Sequence, residues 1–225
     1  MRIAKEHDIR KKEILDKAAD LFVRKGYAKT TISNIIDSVG IAKGTFYYYF
    51  KSKEEVMDAL IMRFVSLCAD MIAQKVREPG KTAIQKFREI NLINYRVAPG
   101  FNEIFMELKY SNNAEMQYKV IVRTIKKISP LLARIVKQGI AEGTFKTDYP
   151  NEFAEFLLVF SQVIFEHDIF GFSKETLEKK AVAAASFIES ILGAEKGSLD
   201  FMARRYDLAA QISRKTHGSE SAGGF

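Results

Sequence analysis

The chain has one cysteine, three histidines and four prolines in 225 residues, and no uninterrupted apolar run approaches the roughly 20 residues of a membrane span. Cys68 therefore cannot form a disulfide within the chain, and its place in a helical apolar pattern suits a buried thiol better than a redox sensor. Three histidines and one cysteine offer little from which to build a transition-metal site. The sequence also lacks G-x-S-x-G, H-E-x-x-H, a P-loop and a dinucleotide glycine fingerprint, so no catalytic residue, cofactor or metal is expected from it. The N-terminus is charged without an apolar core, which argues against a secretory signal and for the cytoplasm. Convincing strand alternation is missing too. Apolar residues instead recur at helical spacing nearly throughout, and the fold expected is all-α.

What is present is a substantial core-forming content, 47% hydrophobic and 12% aromatic, in a length that suits one or two domains. The densest information lies between Thr30 and Lys53, TTISNIIDSVGIAKGTFYYYFKSK. Ile32, Ile35, Ile36 and Val39 recur at i, i+3, i+4 and i+7, Thr31 can cap the helix they form, and Gly40 can end it with positive φ. A second short helix follows Ile41 and Ala42, with Phe46 and Phe50 four residues apart on one face. Upstream, Ile14, Leu15, Ala18, Leu21 and Phe22 predict an amphipathic helix over about Ile9 to Lys25, ended by Gly26. Three short helices with a glycine turn predict a helix-turn-helix.

At about 100° per residue, Gly44, Thr45 and Tyr48 point away from the Phe46/Phe50 face, with Lys43, Tyr47, Tyr49 and Lys51 on its flanks. Glycine costs about 1 kcal/mol relative to alanine inside a helix, and exposed tyrosines gain little from water. A surface that approaches a duplex closely accounts for both, since the glycine lets backbones near and tyrosine hydroxyls and lysines reach phosphates. The alternative is a helical corner with the tyrosines in its own core. Charge bears on the choice. Residues 1–53 hold twelve basic and six acidic side chains, the remainder 23 and 22, so nearly all of the +7 excess lies beside this segment. The arm with Arg2, Lys5, Arg10, Lys11 and Lys12 reads equally as extra phosphate contacts or as a disordered solubilising end.

These residues carry a resemblance. Gly26 with Tyr27, Thr30 with Thr31, Lys43 to Phe50 and Lys53 with Glu54 stand where the DNA-binding domain of the tetracycline-repressor-like (TetR) family has a Gly-aromatic pair, paired threonines, a K-G-T-aromatic-Y-x-aromatic-F helix and a lysine-glutamate pair. The match spans about residues 9 to 60 without a gap. Ala42 departs from it, because many relatives have a capping serine there. The resemblance implies that Lys43, Gly44, Thr45 and Tyr47 face bases, while Thr31, Tyr48, Tyr49 and Lys53 hold phosphates. It further implies a dimer on a palindromic operator in double-stranded DNA and a small-molecule effector bound in the helical C-terminal domain.

Beyond residue 52, Lys53 to about Glu78 predicts one long helix, a lever between two functions. Pro130 should kink a helix over about Ala114 to Gly143. Candidate effector-lining residues are Met71, Phe87, Tyr95, Phe101, Phe105, Met106, Tyr110, Phe156 and Phe160, each of which ordinary core packing explains as well; a lining so apolar favours a lipophilic or aromatic effector. His167, between Glu166 and Asp168, has three readings: a buried hydrogen-bonded side chain, a pocket or interface group, or a metal ligand. Helices over Pro150 to Phe170 and Lys174 to Leu192, the second with Ala181, Ala183, Ala184 and Ala185, are expected to form the dimer contact, against the alternative of a monomeric core. Ser198 to Ile212 predicts a further amphipathic helix. The expected organisation is a head over 1–52, a regulatory and dimerisation domain over 53–195 and an extension over 196–225. The expected function is a DNA-binding transcription regulator with no membrane partner. Its rivals are a helical lipid-binding protein or enzyme with a vestigial head, and an effector-independent DNA-binding protein.

Overall fold

The computed structural model describes residues 2–91, 93, 114–164 and 170–203, with the side chains of 2–6, 114, 116 and 117 not described. All regular elements among them are helical: α1 (Arg2–Lys25), α2 (Ile32–Val39), α3 (Lys43–Tyr49), α4 (Lys53–Arg77), α5 (Ala83–Asn91), α6 (Ala114–Ala141), α7 (Pro150–Val163) and α8 (Lys174–Leu192), followed by a 3-10 turn at Asp200–Met202. No helix of the described residues is long and apolar enough to cross a membrane. They also contain no group of three or more His, Cys, Asp or Glu placed to hold a metal ion.

The chain divides into two compact units, residues 1–70 with 94–127, and residues 71–93 with 128–225. The first is built on a core of Ile14, Leu15, Ala18, Phe22, Tyr27, Ile35, Phe46, Phe50, Val56, Met57, Leu60, Ile61, Val65 and Val120. Five of these come from α4 and one from α6, so the interior of this unit extends past the three head helices. Polar pairs accompany that apolar contact. Arg123 on α6 donates to the Asp58 carbonyl at 3.1 Å and pairs with its carboxylate at 3.2 Å, and Lys127 reaches the Ser66 hydroxyl at 2.7 Å.

In the second unit the end of α4 meets a buried lysine. The Lys86 ammonium donates to the Val76 carbonyl at 2.8 Å and to Gln138 Oε1 at 2.9 Å, placing positive charge on a helix C-terminus where the macrodipole favours it. The Gln138 amide donates in turn to the Lys81 carbonyl at 2.8 Å, and Glu142 accepts the Ala83 N–H at 2.9 Å, closing the start of α5. Lys75 and Lys81 both pair with Glu78 and Glu89, and their hydrogen bonds hold the Glu89 carboxyl down at about 2. A depressed carboxyl stabilises the fold above its ordinary pKa, and that stabilisation fades as pH falls toward 2. Gly139 is a packing requirement, since a Cβ there would lie 2.1 Å from the buried Phe145 ring.

Three sequence expectations change. Helix α1 begins at Arg2 rather than near Ile9, so the basic arm is helical. Helix α7 is capped at Ile164 instead of reaching Phe170. The helix expected over Ser198 to Ile212 lies outside the described residues from 204 onward; its described start makes the 3-10 turn instead, with Leu199 fully buried and its N–H donated at 2.8 Å to the buried Glu189 carboxylate. A local amphipathic pattern could not foresee that anchor, because its acceptor lies ten positions upstream on α8.

Candidate nucleic-acid interface

The head helices follow local chemistry closely. Thr31 is the N-cap of α2: its hydroxyl accepts the Asn34 N–H at 3.1 Å and Asn34 Oδ1 accepts the Thr31 N–H at 3.2 Å, a reciprocal box. Gly40, at φ 73, closes α2 with its N–H on the Ile36 carbonyl. Ala42 caps α3 without any side-chain bond, the deficit expected for an alanine there. Short helices of this kind are held by tertiary packing more than by propensity. Phe46 and Phe50 supply it for α3, both essentially buried.

That packing leaves one face of α3 outward. Lys43 and Gly44 are exposed, Tyr47 is 44% and Tyr48 73% accessible, and Thr45 and Tyr49 are half-buried. Nothing lies within 4 Å of the position a Gly44 Cβ would occupy, so no contact inside the chain requires glycine. The Gly44→Ala variant should therefore leave the head as stable or firmer by up to about 1 kcal/mol, yet bind duplex DNA more weakly. Thermal melts and fluorescence anisotropy check the two signs separately, and undiminished DNA affinity would remove the close-approach argument.

The neighbouring candidates are employed differently. Thr30, 1% exposed, donates its hydroxyl to the Gly26 carbonyl at 2.8 Å and so ties the turn after α1. Lys53, assigned to phosphates by resemblance, directs its ammonium inward: it donates to the Tyr27 carbonyl at 2.7 Å and the Ala28 carbonyl at 3.4 Å, and stands 4.3 Å over the Tyr27 ring. The Tyr27 hydroxyl meets Glu54 at 3.3 Å. Burial, then the Glu54 charge, pushes that hydroxyl well above the ordinary tyrosine range. Glu54 is held below the usual carboxylate range by a backbone hydrogen bond at its own helix start and by the Ser52 hydroxyl. Lys53 and Glu54 thus latch the first turn of α4 to the loop after α1. Thr31 keeps a hydroxyl proton free to donate, because its cap bond uses only an acceptor lone pair.

Residues 14–60 match the model of the bacterial regulatory proteins of the tetR family, and residues 99–187 match the tetracyclin repressor-like C-terminal domain. The chain belongs to the TetR family of DNA-binding transcription regulators. Its curated relatives include the HTH-type transcriptional repressor KstR2 of Mycobacterium tuberculosis, 26% identical over 154 residues, which covers 65% of this chain and 74% of that one. The fatty acid metabolism regulator protein of Bacillus subtilis is 27% identical over 138 residues, 60% of this chain and 70% of its own. Among solved structures, Salmonella enterica GusR superposes with a TM-score of 0.58 at 19% identity over 82% of this chain and 96% of that one. A gamma-butyrolactone receptor superposes with a TM-score of 0.51 at 19% identity over 92% and 97%. At such identities the structural likeness speaks for the fold alone.

Four of the effector candidates of this TetR-family regulator lie among the described residues. Phe87 is 3% exposed, its ring 6.1 Å from that of Phe145; Met71 and Phe160 are half-buried; Phe156 is 71% exposed, on the surface of its unit. Tyr95, Phe101, Phe105, Met106, Tyr110 and His167 lie outside the described residues. One head residue escaped the sequence reading altogether. His7, on the part of α1 assigned to an arm, packs its ring against both Tyr48 and Tyr49.

Proposed function

We propose that the regulator acts as a homodimer on a two-fold symmetric operator, reading base edges with Lys43, Gly44, Thr45 and Tyr47 and holding phosphates with Thr31, Tyr48 and Tyr49. The observation that carries this reading is the outward face of α3, where a lysine, two accessible tyrosines and an unobstructed glycine stand together. Functionally, the head over 1–52 is the output and 53–195 the regulatory and dimerisation part. A single reading helix gains affinity by being paired with a copy one helical turn of DNA away. Exposed Phe156 and Val159 on α7, and Phe187 and Ile191 on α8, are apolar side chains suited to such a pairing.

The effector is a small lipophilic molecule whose binding lowers operator affinity, in the manner of a repressor released by its ligand. The relatives named for a repressor and for fatty acid metabolism support this reading, as do the many aromatic residues of the regulatory part. The deciding experiment retains genomic fragments on the purified protein at several salt concentrations, then elutes them with acyl and aromatic metabolites. One palindromic fragment set with a steep salt dependence, released by a member of the library, is the expected result. Retention of DNA without sequence preference removes the operator, and retention that no metabolite relieves removes the effector.

A further inference from the structure

We infer that His7 is a further residue of the DNA-reading surface, a pH-dependent cationic contact that stands beside the phosphate-holding tyrosines. Its imidazole lies 4.7 Å from the Tyr49 ring, tilted at 40°, and 5.7 Å from the Tyr48 ring, edge to face at 79°; the two tyrosine rings are themselves 5.1 Å apart and perpendicular. The three rings form one cluster joining α1 to the outward flank of α3. The histidine side chain remains 40% exposed, and Tyr48 is 73% exposed, so the cluster is open to a partner along that edge.

The charged neighbours on α1 are of both signs. On α1 the Asp8 carboxylate is 3.6 Å from His7 Nδ1, while Lys11, one turn on, stands over the Phe50 ring at 5.6 Å. On α3 the groups facing the imidazole are the Tyr48 and Tyr49 rings, which carry no full charge. Phosphates approaching Tyr48 favour the imidazolium over the neutral ring. Proton uptake is then linked to DNA binding: affinity contributed by His7 is present at low pH and lost as pH rises through the bound-state value.

The inference rests on α3 facing DNA, and the experiment separates the two. Full-length wild type, His7→Gln, His7→Lys and Lys43→Ala are titrated by anisotropy into a duplex selected by the wild type from genomic DNA, at pH 6.0 and 8.0 and several salt concentrations. Wild type should tighten by about three- to tenfold from pH 8.0 to 6.0 relative to His7→Gln, with a salt slope steeper by up to about 0.9 at the lower pH. His7→Lys should bind as tightly at pH 8.0 as at 6.0 once the His7→Gln baseline is subtracted. Identical pH and salt profiles for wild type and His7→Gln overturn the inference, as does an equal loss at both pH values. Undiminished binding by Lys43→Ala overturns the DNA-facing reading itself.

Discussion

Placing glutamate at both Phe187 and Ile191 is expected to convert the regulator to a monomer and to lower operator affinity by about two to three orders of magnitude. The two side chains are 64% and 60% exposed and sit one turn apart on α8, so charging them removes little packing from the folded chain. Their neighbours Ile188 and Leu192 are buried and hold α8 in its own unit. In the proposed dimer, by contrast, the carboxylates would be carried into an apolar contact at a cost of several kcal/mol. Two weak half-site contacts then cease to be one bivalent event. Sedimentation velocity reports the assembly, circular dichroism the retained helicity, and anisotropy the affinity. A dimer that survives both substitutions places the contact elsewhere.

Phe46→Ala should cost about 3–5 kcal/mol in the head, because it empties a fully buried aromatic site. Phe46 is the main anchor of a seven-residue helix that lacks a side-chain cap, and its ring meets that of Phe50 at 6.2 Å. Hydrogen exchange should show the amides of 32–49 losing protection, with operator binding abolished. The chain holds two compact units, so a single melting temperature would blend separate events and local exchange is the sharper measurement. Phe46→Leu keeps most of the buried volume and should retain both protection and binding. Equal losses in the two variants would show that the ring acts through something other than volume.

Much of the head was legible because its signals are local. The phase of Ile32, Ile35, Ile36 and Val39, the Thr31 cap and the Gly40 turn all act within one or two helical turns, and each is found in place. The same holds for α4 and α8, whose ends fall where glycine, proline and serine interrupt the apolar period. Helix α1 was misjudged at its start since charged residues carry no period to follow, though lysine, arginine and glutamate are good helix formers. The candidate effector residues were the least legible. Aromatic residues on core-facing stripes look alike whether they fill space or line it, and only their mutual placement separates Phe87, buried against Phe145, from Phe156 on the surface.

By itself, then, the sequence determined that this is an all-helical, DNA-reading regulator of the TetR family, since periodicity, charge placement and an ungapped motif survive without coordinates. Tertiary structure alone decided how chemically equivalent side chains are employed. Lys43 and Lys53 are the same residue type ten positions apart, yet one is exposed while the other is bound to a carbonyl 26 positions away. Tyr48 stands open and Tyr49 is half-buried beside His7, whose ring comes from a helix more than forty residues earlier. The reason is physical. Helical phase is set by neighbours within a turn, whereas a hydrogen bond or a ring contact depends on which distant segment the folded chain brings alongside.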